Sequence, residues 1–390
     1  MRDVVIVEAV RTPMGRFRGA LAPVRADHLG AVILQALVER AGIGPELVDD
    51  VVFGCVTQVG EQSTNPARTA LLSAGWPASI PGMTVDRKCG SSEAAVHAAV
   101  GSIASGEFDV VVAGGVESMS RVPMGGNRDV HGEPFGWKLL DAYPQVSQGE
   151  AAERIGDAWD LTRDELDDYA IASHRRAAAA ADAGWFDREI VPVAVDAWRE
   201  RSAPEGFPLF SRDETIRRDT SRDKLGTLKT VFRPEGRVTA GNSSQIADGA
   251  AALLLMAAEV AKAHGLKPRA RLRAMTTVGA DPTLMLTGPI PATRRLLDRS
   301  GLSLSDIALF EVNEAFAPVP LVWMREFGIG HDRVNVNGGA IALGHPLGGS
   351  GARLLTTLLH ELERRDARFG LQTMCCAGGL GTGTVLERLG

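Results

Sequence analysis

The run TVDRKCGSSEAAVHAA, Thr84–Ala99, places Cys89 after Arg87 and Lys88 and before Gly90, Ser91 and Ser92. An alanine-rich, helix-like stretch follows, so the thiol stands where a strand hands over to a helix. A thiol there meets the positive end of the helix dipole and unpaired backbone N–H groups, and both lower its pKa. The small residues beside it leave room for a bulky reactant. A single cysteine is more often a small buried hydrophobe, and Cys55, within an apolar strand, keeps that reading. A thiolate nucleophile also needs a base and donors for a developing oxyanion. Three later loops offer candidates. EVNEAFAP places Asn313 and Glu314 after a strand, and NGGAIALGHPLGGSGAR places His345 between Gly344 and Pro346. TMCCAGGLGTG places Cys375 and Cys376 at a strand end before a glycine-rich turn. Each loop alone also reads structurally: GHP as a turn, NEAF as a helix start, the cysteine pair as core. No G-x-G-x-x-G opens a helix after a first strand, which sets a dinucleotide-binding reading aside.

The surrounding pattern is that of an α/β protein. DVVIVEAV, Asp3–Val10, is continuously apolar, as in a strand covered on both faces. ADHLGAVILQALVERAG repeats apolar residues at helical spacing and stops at Gly42. DDVVFGCV and FDVVVAGG read as further buried strands. The pattern then restarts: ALVERAGI, Ala36–Ile43, matches RLLDRSGL, Arg295–Leu302, and each leads to an acidic residue and a strand. The turn, helix, strand and glycine pair after Cys89 has a looser counterpart from GGSGAR to CCAGG. Two copies of one α/β unit are expected. Between them, residues 119–245 carry Trp, Pro and dense charge and read as a subdomain inserted over the first copy. Thr162, three residues before Glu165, marks a capped helix start there. Arg217, Arg218, Arg222 and Lys224 are candidates for phosphate contact, although charge alone favours a solvated face.

Composition narrows the class. A chain of 390 residues exceeds what one core normally supports, so two or three domains are expected. Hydrophobic content of 45% and charged content of 23% are ordinary for a globular protein. The net charge of −6 disfavours nucleic acid as a partner. No apolar run is long enough to span a bilayer, and the first residues lack the pattern of a signal peptide. Cys55, Cys89, Cys375 and Cys376 are too few for a disulfide framework, and their spacing suggests no metal. Reduced thiols in a cytoplasmic protein are expected.

Taken in order, VIVEAVRTPMGRFRGAL, DRKCGSS, GGVESMS, VTAGNSSQIADGAAALLLM, NEAFA, GGAIALGHPLGGSGAR and CCAGGLGTG resemble the thiolase family over essentially the whole chain. The resemblance implies a five-layered α/β/α/β/α fold, with two similar halves whose central helices lie between two mixed sheets. It implies an N-terminal half of 1–118 and 246–268, a loop domain of 119–245 and a C-terminal half of 269–390. It further implies a reversible Claisen exchange between CoA thioesters. Cys89 is then the nucleophile, His345 its base, Asn313 the holder of a water, and Cys375 the acid/base. The N–H groups of Cys89 and Ala377 form an oxyanion hole. Ser244, Arg217, Phe232 and Met285 match residues contacting CoA or the acyl chain, and on sequence grounds Phe232 and Met285 suit a core role equally. Coenzyme A is a substrate, no bound cofactor or metal is implied, and a homodimer or homotetramer is expected. The family usually has glycine where this chain has Ala377, and alanine resists positive φ. The acetoacetyl-CoA branch tends to carry His-Met before the glycine that is Gly149 here, where this chain has Ser147 and Gln148. That favours cleavage of 3-ketoacyl-CoA over acetoacetyl-CoA synthesis. Ketoacyl synthases share the nucleophile but lack the C-terminal cysteine, which Cys375 supplies. A non-catalytic acyl or lipid carrier would be expected to lose part of the Cys89, His345 and Cys375 set.

Overall fold

A computed structural model describes residues 2–128, 131–196 and 209–390. Residues 129–130 and 197–208 of the expected loop domain lie outside the described residues. The strands are β1 (Val4–Arg11), β2 (Gly15–Arg16), β3 (Asp50–Gly54), β4 (Met83–Val85), β5 (Val110–Ser118), β6 (Ala247–Ala257), β7 (Ala270–Gly279), β8 (Leu309–Val312), β9 (Phe369–Cys376) and β10 (Leu380–Arg388). They run in the order β4-β3-β5-β6-β1-β7-β10-β9-β8, with β2 beside β6. The duplication is visible in this order. β3 is parallel to β5, which is antiparallel to β6, which is antiparallel to β1. β8, β9, β10 and β7 repeat those orientations. The two sheets expected from the sequence are joined into one hydrogen-bonded path, through Val5 opposite Arg271 and Ile6 opposite Ala270 alone. β1 and β7 are equivalent strands of the two copies, and pairing their edges satisfies backbone groups that each copy leaves open.

The α-helices of the described residues are α1 (Ala26–Ala41), α2 (Pro66–Ser73), α3 (Ser91–Ser105), α4 (Trp137–Ala142), α5 (Gln148–Ala158), α6 (Arg163–Asp182), α7 (Arg222–Gly226), α8 (Ala258–Ala263), α9 (Pro289–Ser300), α10 (Pro318–Phe327), α11 (Ala340–Leu343) and α12 (Ser350–Arg364). Strand alternation sends Val5 and Val7 outward, where they pack with Leu29, Ile33 and Leu37 of α1. Val4 and Ile6 point inward, against Val96 and Ile103 of α3 and Leu355 and Leu359 of α12. On the far side, Leu296, Val322 and Trp323 of α9 and α10 cover Phe310, Leu371 and Val385. The result is five layers: α1 and α2, the first half-sheet, α3 and α12, the second half-sheet, then α9 and α10.

Local signals behave as their chemistry dictates. α1 stops at Gly42, whose φ of 69° suits glycine, and Thr162 and Glu165 form a reciprocal capping box on α6. The insertion differs from expectation. Ala151, Ile155, Leu166 and Tyr169 of α5 and α6 share a core with Phe316 and Val322, so these helices lie over the second half. Their apolar faces find cover on α10, although the insertion leaves the chain between strands of the first half.

Candidate active site

Cys89 is carried into place by a strained turn. Lys88 adopts φ of 52°, a left-handed conformation costly for a residue with a Cβ, and Gly90 then opens α3. Gly90 is required by space: a Cβ there would lie 2.8 Å from both Cys376 Sγ and Thr382 Oγ1. Cys89 is only 1% exposed. Burial pushes its thiol up to about 11, opposed by the N–H groups of Ala377 and of Cys89 itself and by Lys88. This reverses the lowered pKa expected from the helix start, because desolvation of the charged form outweighs the donors. The thiol therefore rests protonated and needs a base.

His345 has the form of that base. Its N–H donates to Gln245 O at 2.9 Å, and Gly344, at φ of 82°, turns the chain into it. Ser350 Oγ donates its single proton to Pro346 O at 2.8 Å and lies 2.6 Å from His345 Nδ1. The ring nitrogen must then be the donor in that second contact, so Nδ1 carries the hydrogen and Nε2 is bare. Nε2 is buried and has no hydrogen-bond partner among the described residues. Burial, aided by the charge of Arg353, holds the imidazole down to about 3. Leu347, two residues on, packs in one cluster with Cys89 and Cys376.

Alternation on β9 separates the adjacent cysteines. Cys375 packs among Ala315, Phe316 and Met285, whereas Cys376 packs with Cys89 and Met374. Asn313 Nδ2 donates to Cys375 Sγ at 3.6 Å, and Asn313 Oδ1 is buried without a protein partner. Burial pushes the Cys375 thiol up to about 12, and the next cause is charge on Cys89, so the two sulfurs share one electrostatic neighbourhood. Cys376 is also raised, by burial and then by Cys89, with the N–H of Gly90 facing it. Ala377 needs no positive φ. The left-handed positions of its turn are Gly378 and Gly379, at 86° and 75°. Its N–H points at Cys89 Sγ.

Residues 4–259 match the family described as thiolase, N-terminal domain, and residues 266–388 match thiolase, C-terminal domain. The chain belongs to the thiolase family. It is 45% identical over 399 residues to the steroid 3-ketoacyl-CoA thiolase of Mycobacterium tuberculosis, covering 100% of this chain and 95% of that one. It is 47% identical over 406 residues to the beta-ketoadipyl-CoA thiolase of Pseudomonas putida, covering 100% of both. The crystal structure of the Bacillus anthracis acetyl-CoA acetyltransferase superposes with a TM-score of 0.91 at 40% identity, over 100% of this chain and 99% of that one.

The remaining residues expected at the site fall in two places. Arg217 is exposed and lines a cavity of about 230 Å³ with His174, Lys224, Leu228 and Gln245, and its Nε donates to Gln245 Oε1 at 3.4 Å. Arg218 and Arg222 instead pair with Asp182 and Asp168, and Lys224 with Asp219. Ser244 is half-buried, and its N–H donates to Ala315 O at 3.0 Å, beside the Cys375 cluster. Phe232 stands edge-on to Phe316 at 6.0 Å and covers Gly149, where a Cβ would lie 2.2 Å from the ring. Met285, at φ of 52°, is buried in the second-half core. Sequence reasoning missed Ser350, although GHPLGGS shows a hydroxyl one helical turn after Pro346. It missed Glu117 of GGVESMS, whose carboxylate accepts from Val56 N, Thr57 N, Gln62 Nε2 and Gly348 N, each at 2.9 Å. Among the described residues no group of three or more His, Cys, Asp and Glu is placed to hold a metal, and no helix is long and apolar enough to cross a membrane.

Proposed function

We propose that this enzyme is a degradative thiolase, cleaving a 3-ketoacyl-CoA with CoA to acetyl-CoA and a shortened acyl-CoA. The observation that carries the reading is a buried, protonated Cys89 together with a bare Nε2 on a neutral His345, whose loop brings Leu347 into the cluster of Cys89. His345 Nε2 takes the Cys89 proton, and the sulfur attacks the keto carbon. The bond between that carbon and the α-carbon breaks, leaving an acyl thioester on Cys89 and the enolate of acetyl-CoA. The protonated Nε2 now donates to the enolate oxygen, together with a water that Asn313 holds, and Cys375 gives its proton to the α-carbon. In the second half, the Cys375 thiolate takes the proton of a fresh CoA thiol, whose sulfur attacks the acyl carbon; the bond from that carbon to Cys89 Sγ then breaks, and Cys89 recovers its proton from His345 Nε2 as the acyl-CoA leaves. The N–H groups of Cys89 and Ala377, already aimed at Cys89 Sγ, hold that oxyanion; one such donor is typically worth about a hundredfold or more in rate. Burial keeps both thiols protonated at rest, so each holds the proton it must give up, and transfer from Cys89 to His345 creates a thiolate and an imidazolium whose opposite charges favour each other.

Arg217, beside the open cavity, and Ser244, Phe232 and Met285, around the Cys375 cluster, form the path for CoA and acyl chain in this reading. The described residues of the loop domain of 119–245, set between an N-terminal half of 1–118 and 246–268 and a C-terminal half of 269–390, form its roof. Ser147, where the acetoacetyl-CoA branch tends to carry His, caps α5 here by accepting from Glu150 N at 3.1 Å. Four free thiols support action in the cytoplasm; membership of the family supports a homodimer or homotetramer. The test is thiolysis of 3-ketoacyl-CoAs of several chain lengths. Acetyl-CoA should be released, and an acylated peptide containing Cys89 should be lost in Cys89→Ala. Cys375→Ser should still acylate and turn over poorly. Label on Cys375 in place of Cys89 would reverse the roles, and no release at any length would defeat the proposal.

A further inference from the structure

Glu93 is a fully buried carboxyl one turn after Cys89, and the chemistry above does not use it. It is the third residue of α3, the helix that Cys89 precedes. Its oxygens accept from two hydroxyls of β10, Thr382 Oγ1 and, at 2.7 Å, Thr384 Oγ1. Thr384 spends its proton on Glu93, so His97 Nε2, at 2.8 Å, is the donor to Thr384 Oγ1. His97 Nε2 itself stays 3.9 Å from Glu93 Oε1, and burial holds that ring neutral.

Among the described residues, the groups around Glu93 supply no countercharge. On its own helix it faces His97. From the preceding turn, Arg87 acts on His97, while Lys88 and Asp86 act on Cys89. From β9 it faces Cys376, which feels its charge. β10 offers only the two hydroxyls. α12 brings Gly351, where a Cβ would lie 2.6 Å from Glu93 N, and Ala352, whose N–H donates to Ser92 Oγ. A buried carboxylate with two neutral donors is under-stabilised, and burial pushes Glu93 up to about 7. Thr382 Oγ1, which donates to Glu93, also packs close to Gly90, the neighbour of Cys89: a Cβ on that glycine would lie 2.8 Å from it.

We propose that Glu93 is a positioning residue for the nucleophile: its carboxylate competes with the Cys89 thiolate for the positive end of α3. That end carries roughly half a unit charge, and its influence fades within one turn. Two anions within that turn oppose each other, so Cys89 ionises more readily while Glu93 holds its proton. The same two threonines that hold Glu93 fix the first turn of α3 to β10, and hence Cys89 to the strand that follows Cys376.

The inference rests on Cys89 being the nucleophile. The test is the pH profile of Cys89 alkylation by iodoacetamide, read by peptide mass, in the full-length enzyme and in Glu93→Gln. In the native enzyme the rise with pH should flatten near pH 7, as Glu93 ionises, and then resume. In Glu93→Gln it should be a single straight rise, coinciding with the native profile at lower pH and roughly tenfold faster above about pH 7. Coincident profiles, or a uniform slowing at every pH as from a merely structural defect, would overturn the inference while leaving the nucleophile intact. A native Cys89 that neither alkylates nor acylates would sink both readings. Should Glu93→Gln fold poorly, Thr384→Val removes one donor to the carboxylate and should move the flattening to higher pH; an unmoved flattening refutes the proposal.

Discussion

Ser350 decides which nitrogen of His345 is available. Its one proton is committed to Pro346 O, which obliges Nδ1 to be the imidazole donor and leaves Nε2 bare. Ser350→Ala should lower kcat roughly tenfold to a hundredfold with little change in the KM for CoA, because orientation rather than binding is lost. Ser350→Thr should restore most of the rate; steady-state kinetics on both variants decide the matter. Glu93 makes a stability prediction at the same scale. Its folded pKa, near 7, lies above the ordinary 4.5, so the folded state holds the proton more tightly than the unfolded chain. Its favourable contribution is complete below about pH 4.5 and is lost as pH rises through about 7. Urea midpoints should therefore fall less over that interval in Glu93→Gln than in the native enzyme. Equal slopes would show that the group is not titrating there.

The elements of the site are held by buried carboxylates that no arginine or lysine partners through hydrogen bonds. Glu117, at the end of β5, gathers N–H groups from the segment after β3 and from Gly348 in the His345 loop. It thereby ties the two copies together beside Cys89. Glu314 does the same for the approach to that loop, accepting from Tyr169, Ser173, Asn335 and the N–H of Ile341. Glu117→Gln turns one acceptor into a donor that faces backbone N–H groups. It should cost about 2–4 kcal/mol in equilibrium unfolding. Thiolysis should fall as well, since Gly348 carries the His345 loop. Unchanged unfolding would mean that Glu117 is not the clamp its contacts describe.

Across the whole molecule, the copies contribute different parts of the proposed site. Cys89 comes from the first, whereas Asn313, His345, Cys375 and Ala377 come from the second. The described part of the insertion leaves the first copy and covers the second, bringing Phe232 and Ser244 to the Cys375 cluster and Arg217 to the neighbouring open cavity. Arg217→Ala should raise the KM for CoA roughly tenfold and leave kcat nearly unchanged, as expected for a cation that contacts only the far end of a substrate. A fall in kcat at constant KM would place Arg217 nearer the chemistry.

Much of this was legible in the amino-acid order because the signals are local. Glycine at Gly42, the Thr162 capping box, strand alternation and the small residues after Cys89 each act within a few residues, and the repeat of helix and strand revealed the duplication. Alternation also separated Cys375 from Cys376 correctly. What the order of residues left open depended on partners distant in sequence. Burial outweighed the helix terminus at Cys89, and Gly378 and Gly379 freed Ala377 from a strained φ. β1 met β7 across the halves, the insertion found its apolar cover on α10, and Ser350 and Glu93 gained their meaning from a carbonyl and two threonines. Propensity and periodicity are properties of neighbours along the chain; desolvation and hydrogen-bond satisfaction belong to neighbours in space, and only the folded structure assigns those.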